Sequence, residues 1–320
     1  GSDAASLVEY NPGMAHADWI AAGSPVARAP LADRDDAYIL FTSGTTGMPK
    51  GVRVPHGAYR DLLLGMSATL DREVPGWEAL ASRRTLLCGC SFSFDGGIHV
   101  PGQAWVNGDT LLVTPTSSLL ERFADILLDY CVTAVFTTPS VLGAVQAKSV
   151  ESAPIMVHLI GEKISRELYE IWAAKGTSVV NAYGPTENTI NTSLVLVDPE
   201  RDMGVIGRPL PGVRAMVADP AGRPLPRGFV GELWVSGALL AKGYTKGAES
   251  ATVSAFVRHH LALDNGNGPV AYRTGDLCVI DEDGVLQFKS RADRQIKLRG
   301  QRVELSAIES VLQNVTGVRQ

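Results

Sequence analysis

From Tyr38 to about Leu196, short apolar runs alternate with stretches of helical periodicity. The runs at 37–42, 85–89, 109–114, 132–137, 155–160 and 178–182 have strand length and turn residues at their ends, so they read as buried strands. Between them, 119–130 and 164–174 carry apolar residues at helical spacing. Strands alternating with helices predict an α/β unit built on a parallel sheet with flanking helices. Near Val205 the pattern changes. Val213-Arg214-Ala215-Met216-Val217 and Glu232-Leu233-Trp234-Val235-Ser236 alternate in polarity, with Gly/Pro turns such as Ala221-Gly222-Arg223-Pro224 between them. This predicts a small antiparallel β-unit, barrel-like or bent. Residues 1–36, rich in Ala, Pro, Gly and Asp, read as a connecting segment, and 259–269 as a mobile loop. After Arg291 a charged segment leads into a predicted helix at 304–314. The expected division is a connector (1–36), an α/β subdomain (37–204), a barrel-like β-subdomain (205–290) and a hinge opening a further subdomain (291–320).

Composition narrows the function classes. The chain has 320 residues, 45% hydrophobic and 20% charged, which suits a soluble globular protein with a large core. A formal charge of −5 and the lack of a long basic block argue against a nucleic-acid partner. No apolar run reaches membrane-spanning length, and no signal-peptide pattern opens the sequence, so neither a membrane nor export is expected and the location reads as cytoplasmic. Cys88, Cys90, Cys131 and Cys278 match no common zinc spacing and read as buried free thiols.

Four segments carry candidate chemistry. In Tyr38-Ile39-Leu40-Phe41-Thr42-Ser43-Gly44-Thr45-Thr46-Gly47-Met48-Pro49-Lys50-Gly51, a strand breaks into glycines, hydroxyls and a lysine. Glycine lets backbone N–H groups approach an anion, and the hydroxyls and ammonium add donors. The run reads as a polyphosphate cradle or as an ordinary Ser/Thr/Gly turn; its glycine spacing is not the Walker pattern. Asn181-Ala182-Tyr183-Gly184-Pro185-Thr186-Glu187 follows a strand and offers a stacking ring, a hydroxyl and a carboxylate able to hold magnesium, or else a helix N-cap. In Tyr272-Arg273-Thr274-Gly275-Asp276-Leu277, the aspartate suits a ribose diol or marks a turn. Ser290 to Glu304 is dense in arginine and lysine, a charged edge strand or a hinge with an arginine facing phosphate.

In this order the four segments resemble the adenylate-forming enzymes: acyl-CoA synthetases, luciferases and the adenylation domains of nonribosomal peptide synthetases. Gly231-Glu232-Leu233-Trp234-Val235 with Lys242-Gly243-Tyr244 is similar to that family's β-barrel signature, and the likeness runs from about residue 37 to the C-terminus. The resemblance implies the large-lobe fold of these enzymes and ATP with Mg2+. Thr42, Ser43, Gly44, Thr45, Thr46, Gly47 and Lys50 would hold the β- and γ-phosphates. Tyr183, beside Gly184, would stack on adenine and Asp276 would bind the ribose. Thr186 would touch the α-phosphate, Glu187 would hold the metal, Arg291 would contact ribose or phosphate, and Asp293 would be the hinge pivot.

The peptide-synthetase branch is suggested by Ser93-Phe94-Asp95, where that branch places the aspartate pairing with a substrate α-ammonium. A buried carboxylate needs such a cationic partner; its alternative reading is a helix N-cap. By the same resemblance Gly96, His99, Phe136, His158, Ile160, Ala182, Ile190 and Asn191 would join Asp95 around the substrate side chain. Gly96 and Ala182 leave room, and the histidines and asparagine suit a hydrogen-bonding side chain such as a modified ornithine. The implied reaction makes an aminoacyl-AMP and passes it to a carrier (thiolation) domain's phosphopantetheine, within a synthetase that also has condensation domains. A CoA ligase, or a nucleotide-binding fragment without chemistry, is the competing reading. The resemblance also places the family's N-terminal part before residue 1 and its catalytic lysine beyond Gln320, so weak adenylation is expected of this chain alone.

Overall fold

The computed structural model describes residues 7–9, 32–42, 49–81, 83–145, 150–151, 153–262, 269–293, 295–298, 301–304 and 308, with backbone alone for 7–9, 296–298 and 301–304. In chain order the strands are β1 (Leu7–Glu9), β2 (Asp36–Thr42), β3 (Lys50–Pro55), β4 (Thr85–Cys88), β5 (Thr110–Val113), β6 (Ala134–Thr137), β7 (Met156–Ile160), β8 (Ser178–Tyr183), β9 (Ser193–Leu196), β10 (Val205–Pro209), β11 (Val213–Ala218), β12 (Gly231–Gly237), β13 (Phe256–Arg258), β14 (Val270–Ile280), β15 (Leu286–Arg291), β16 (Gln295–Leu298) and β17 (Gln301–Glu304). The helices are α1 (His56–Glu73), α2 (Asp95–Asn107), α3 (Thr116–Glu121), α4 (Phe123–Asp129), α5 (Pro139–Ala144), α6 (Arg166–Ala173) and α7 (Glu249–Ala255). None of the described helices is long and apolar enough to cross a membrane.

Strand alternation builds the core. The parallel strands lie in the order β1-β5-β4-β6-β7-β8. Leu86, Cys88, Ala134, Phe136, Met156, Ile160, Val180 and Ala182 face α1 and α2, meeting Leu62, Met66, Leu70, Val100 and Ala104. Their neighbours Leu87, Val135, Val157, Leu159 and Val179 face the opposite way, onto Leu119, Ile126, Leu168 and Trp172 of α3, α4 and α6. Both sheet faces are therefore covered, and β6 and β7 are buried at every position, as a central parallel strand requires.

The sheet then turns antiparallel through β9 and β10 and continues as β15-β14-β12-β11, with β13 on β14. A third core, with Ile206, Val217, Leu233, Val235, Tyr272 and Leu286, lies here. β10 pairs with both β9 and β15, so the predicted boundary near 204/205 is crossed by one continuous sheet.

Several expectations change. The strand at 37–42 leaves the parallel sheet; it pairs antiparallel with β3 in a separate two-stranded sheet, from Asp36 opposite Pro55 to Thr42 opposite Lys50. On one side of that hairpin Ile39 and Phe41 are exposed, Phe41 by 63%. The helix predicted at 119–130 divides at Arg122, whose φ of −126° is not helical. Within the predicted connector, Leu7–Glu9 adds a parallel strand beside β5. The charged stretch after Arg291 forms the β16–β17 hairpin. The predicted helix at 304–314 lies outside the described residues apart from Glu304, which ends β17, and Ile308, which is helical. Most of the predicted loop, 263–268, is also outside them. Cys88 and Cys278 are buried, but Cys131 is exposed; all four thiols are free.

Candidate active site

The carboxyl ends of parallel strands are where open α/β sheets collect ligands. The segment following β4 supplies Asp95, Gly96 and His99, and the one following β8 supplies Gly184, Thr186, Glu187, Ile190 and Asn191. After β4 the chain makes a tight turn, with Phe94 N–H donating to Ser91 O at 3.0 Å, and enters α2 at Asp95. Gly97 permits the turn to lie on the helix: a Cβ there would sit 2.3 Å from Ser91 O. The N-cap is Phe94, without a side-chain cap bond, so Asp95 does not cap the helix. Its carboxylate is 2% exposed and accepts a hydrogen bond from Thr186 Oγ1 at 2.6 Å.

After β8, Gly184 packs against the returning chain, where a Cβ would meet Ile190 O at 2.2 Å. Thr186–Asn188 is a single 3-10 turn whose N-cap, Pro185, makes no side-chain bond, so the N-cap reading of Thr186 and Glu187 is not what forms. Thr189 and Ile190 both have positive φ, 48° and 68°, an uncommon state for β-branched residues and worth about 1–3 kcal/mol of strain each. The bend buries Glu187, which is 1% exposed and accepts from Tyr244 Oη at 2.7 Å.

Tyr272 to Leu277 is not a turn but part of β14. Gly275, at φ +71°, lies beside irregular pairing with β12 and β15, a bulged geometry that re-aims the next side chain, Asp276. The Asp276 carboxylate accepts from Tyr183 Oη and from Arg291 Nη1, the latter at 2.7 Å. Burial first, then the neighbouring Asp276 charge, pushes the Tyr183 phenol far up, so it stays a donor. Burial alone would lower the Arg291 guanidinium, but bonds to Asp293 and Asp276 outweigh it and hold its charge. Arg291 Nε and Nη2 reach Asp293 at 2.9 and 2.5 Å, and Asp293 Oδ1 also accepts from Gln295 N–H at the start of β16.

Tyr183, Ala182, Asn181, Asp276 and Arg291 line one cavity of about 330 Å3, whose size suits a small organic ligand. Gly161, Glu162, Met203, Ile206 and Phe288 complete much of its wall and were not foreseen. The position of Gly161-Glu162, just past β7, was the available signal.

The predicted side-chain pocket comes together around the α2 face of the sheet. Register pairs Phe136 with His158, and Ile160 with Ala182. His99 lies edge-on to Phe136 at 5.7 Å and 5.5 Å from His158; Phe136 and His158 are 4.8 Å apart. Gly96, Ile190 and Asn191 are also buried, and Asn191 Nδ2 contacts Met66 Sδ at 3.7 Å. Burial lowers His99 to about 4 despite its bond to Gln103, and lowers His158 further still, with His99 adding to the effect. Both imidazoles are neutral at pH 7. His158 Nε2 and Asn191 Oδ1 are buried without a hydrogen-bond partner among the described residues.

In the segment expected to hold phosphates, Ser43, Gly44, Thr45, Thr46 and Gly47 lie outside the described residues. Its ends are in place: Thr42 Oγ1 faces Lys50 O at 3.5 Å, and Lys50 Nζ sits 5.5 Å from the centre of the Tyr244 ring. Among the described residues no three His, Cys, Asp or Glu side chains group to hold a metal by themselves. A magnesium ion carried by nucleotide phosphates needs only one or two protein carboxylates, and the hard oxygen donors of Glu187 fit that requirement.

A family model described as AMP-binding enzyme matches residues 2–245. Nonribosomal peptide synthetase sidE of Aspergillus fumigatus is 35% identical over 85% of this chain and 12% of its own length. Novobiocin biosynthesis protein H of Streptomyces niveus is 36% identical over 91% of this chain and 46% of its own. This chain therefore spans less than half of either relative. Holo-PA1221, a peptide-synthetase protein with adenylation and PCP domains bound to a vinylsulfonamide inhibitor, superposes with a TM-score of 0.78 at 28% identity, over 94% of this chain and 52% of that one. The Vibrio cholerae adenylation domain AlmE, in complex with glycyl-adenosine-5'-phosphate, gives 0.76 at 27% identity, over 90% and 54%.

Proposed function

Because the chain belongs to the AMP-binding enzyme family, we propose that it activates an amino acid with ATP and loads it onto a carrier domain. The observation that carries this reading is the contact between Asp95 and Thr186: a buried carboxylate, suited to an α-ammonium, lies 2.6 Å from the residue beside Glu187. An ammonium held by Asp95 would keep the substrate carboxylate near Thr186. The carboxylate oxygen attacks the α-phosphorus, the bond to the β-phosphate oxygen breaks, and pyrophosphate leaves. Asp276 would bind the ribose, Tyr183 would face the adenine, and Lys50 with Thr42 to Thr46 would neutralise the leaving phosphates. Glu187 would hold Mg2+, which when bound supplies charge neutralisation at the phosphates. Arg291 would face ribose or phosphate, with Asp293 as the pivot of a lobe movement. A phosphopantetheine thiol then attacks the acyl carbon and AMP leaves. A carrier domain, condensation domains and a cytoplasmic setting belong to this proposal.

The substrate side chain is neutral and carries hydrogen-bonding groups. His158 Nε2 and Asn191 Oδ1 support this, since buried polar atoms without partners cost about 1–3 kcal/mol each until a ligand satisfies them. A modified ornithine with an uncharged side chain fits.

Pyrophosphate exchange in the intact polypeptide tests both statements. Asp95→Ala is expected to lower kcat/KM for the amino acid by about 30-fold or more, as loss of one partner of a buried charge pair does. The deaminated acid should lose far less. Equal losses for the two substrates would favour a CoA-ligase-type acid instead, and a substrate panel led by small apolar amino acids would refute the side-chain reading.

A further inference from the structure

The segment Ala241 to Thr245 has no chemical role in the reading above, yet it touches both ends of the phosphate machinery. Its backbone pairs with β3: Lys242 N–H donates to Arg53 O at 2.9 Å, Arg53 N–H to Gly243 O at 3.0 Å, and Thr245 N–H to Gly51 O at 2.8 Å. Ala241 N–H donates to Glu187 O at 2.9 Å. Gly243, at φ +112°, turns the chain so that Tyr244 points inward. The Tyr244 hydroxyl donates to Glu187 Oε1 at 2.7 Å, Lys50 Nζ lies 5.5 Å from its ring centre, and Phe256 meets the ring edge-on at 5.8 Å.

We propose that Tyr244 is a positioning residue that presets the Glu187 carboxylate for the divalent cation while its ring seats Lys50. The proposal rests on the reading of Glu187 as the metal-holding residue. A glutamate has three side-chain torsions, and freezing them costs conformational entropy when the metal must do so itself. A hydrogen bond to one oxygen settles the rotamer beforehand. The ring face, negative at its centre, attracts the ammonium of Lys50. One side chain thus spans the phosphate-side cation and the metal-side anion, and the pairing with β3 keeps it there.

Tyr244→Phe removes the hydroxyl and keeps the ring, so the β3 pairing and the Phe256 contact are retained. The measurement is Mn2+ binding followed by electron paramagnetic resonance, on the intact polypeptide with α,β-methylene-ATP. Tyr244→Phe is expected to weaken Mn2+ binding by about 10–100-fold, the usual effect of losing a partner that orients a metal ligand. Affinity for the nucleotide without metal should be unchanged, and Glu187→Gln should weaken Mn2+ binding as well. If Glu187→Gln weakens it and Tyr244→Phe does not, the role of Tyr244 is refuted and that of Glu187 stands. If neither does, Glu187 is not the metal residue and the inference falls with it.

Discussion

His99 and His158 lie side by side in the core, and their burial has a consequence for acid stability. An ordinary histidine protonates near 6.5, whereas burial lowers His99 to about 4. The unfolded chain therefore takes up the proton first as the pH falls. Stability from the neutral imidazole is fully present above about 6.5 and is lost as the pH drops toward the folded value. At pH 5 the loss from His99 is on the order of 2 kcal/mol. Asp109 works the other way. Burial, against the pull of Arg84, raises it from 3.8 to about 6, so its contribution is complete below about 3.8 and disappears as the pH rises through 6. Urea unfolding at pH 7.5 and 5 separates the two. His99→Gln should lose less stability on acidification than the parent, and an unchanged pH slope would rule this out. At this scale the sequence was informative about which residues meet. Phe136, His158, Ile160 and Ala182 share a face because alternate strand positions do. It was silent on the ionisation of the histidines, because burial by α1 and α2 is a tertiary property.

At the scale of elements, the start of α2 illustrates two opposing effects at one glycine. Replacing Gly97 by alanine improves helix propensity by up to about 1 kcal/mol. The added Cβ, however, would lie 2.3 Å from Ser91 O and 2.7 Å from Ser91 C, and backbone cannot swing aside as a side-chain tip can. Overpacking of this kind costs about 1–3 kcal/mol, so the clash wins. Gly97→Ala should lower the unfolding midpoint and, on the proposed role of Asp95, raise KM for the amino acid more than KM for ATP. A variant as stable as the parent would show that the turn yields freely. Elements with one strong local signal were legible: β4, β6, β7 and β8 lie within two residues of their predicted bounds. Elements defined by their partners were not. Lys50–Pro55 carries Lys, Gly, Arg and Pro in six positions and becomes a strand only because β2 and the 242–245 segment pair with it. The Asp276 segment reads from sequence as a ribose site or a turn and not as a strand, because Gly275 marks turns more often than bulges.

At the scale of the whole molecule, the hairpin that carries the proposed phosphate segment lies outside the main sheet, so on that proposal its docking decides whether the site is assembled. Three backbone bonds join it to the 242–245 segment, and Asp36 ties the same two pieces together. Asp36 Oδ1 lies 2.5 Å from Lys242 Nζ and its Oδ2 accepts from Arg53 Nε at 3.0 Å. Burial would raise this carboxyl, but Lys242 and Arg53 outweigh it, and its folded pKa is below 3.8. The contribution is thus present above about pH 3.8 and lost as the pH falls through the folded value. Since these side chains are only partly buried, it is worth about 1 kcal/mol or less, and salt weakens it. Asp36→Asn keeps the shape and removes the charge. Amide hydrogen exchange at Arg53, Lys242 and Thr245, the three N–H groups that cross the joint, should then speed up by as much as about fivefold at pH 7. Exchange within β12 and β14 should not change, because the local opening of the hairpin is separate from the opening of the sheet. Faster exchange everywhere would mean that Asp36 supports the entire fold. No change at the three crossing amides would mean that the backbone bonds alone hold the phosphate hairpin in place.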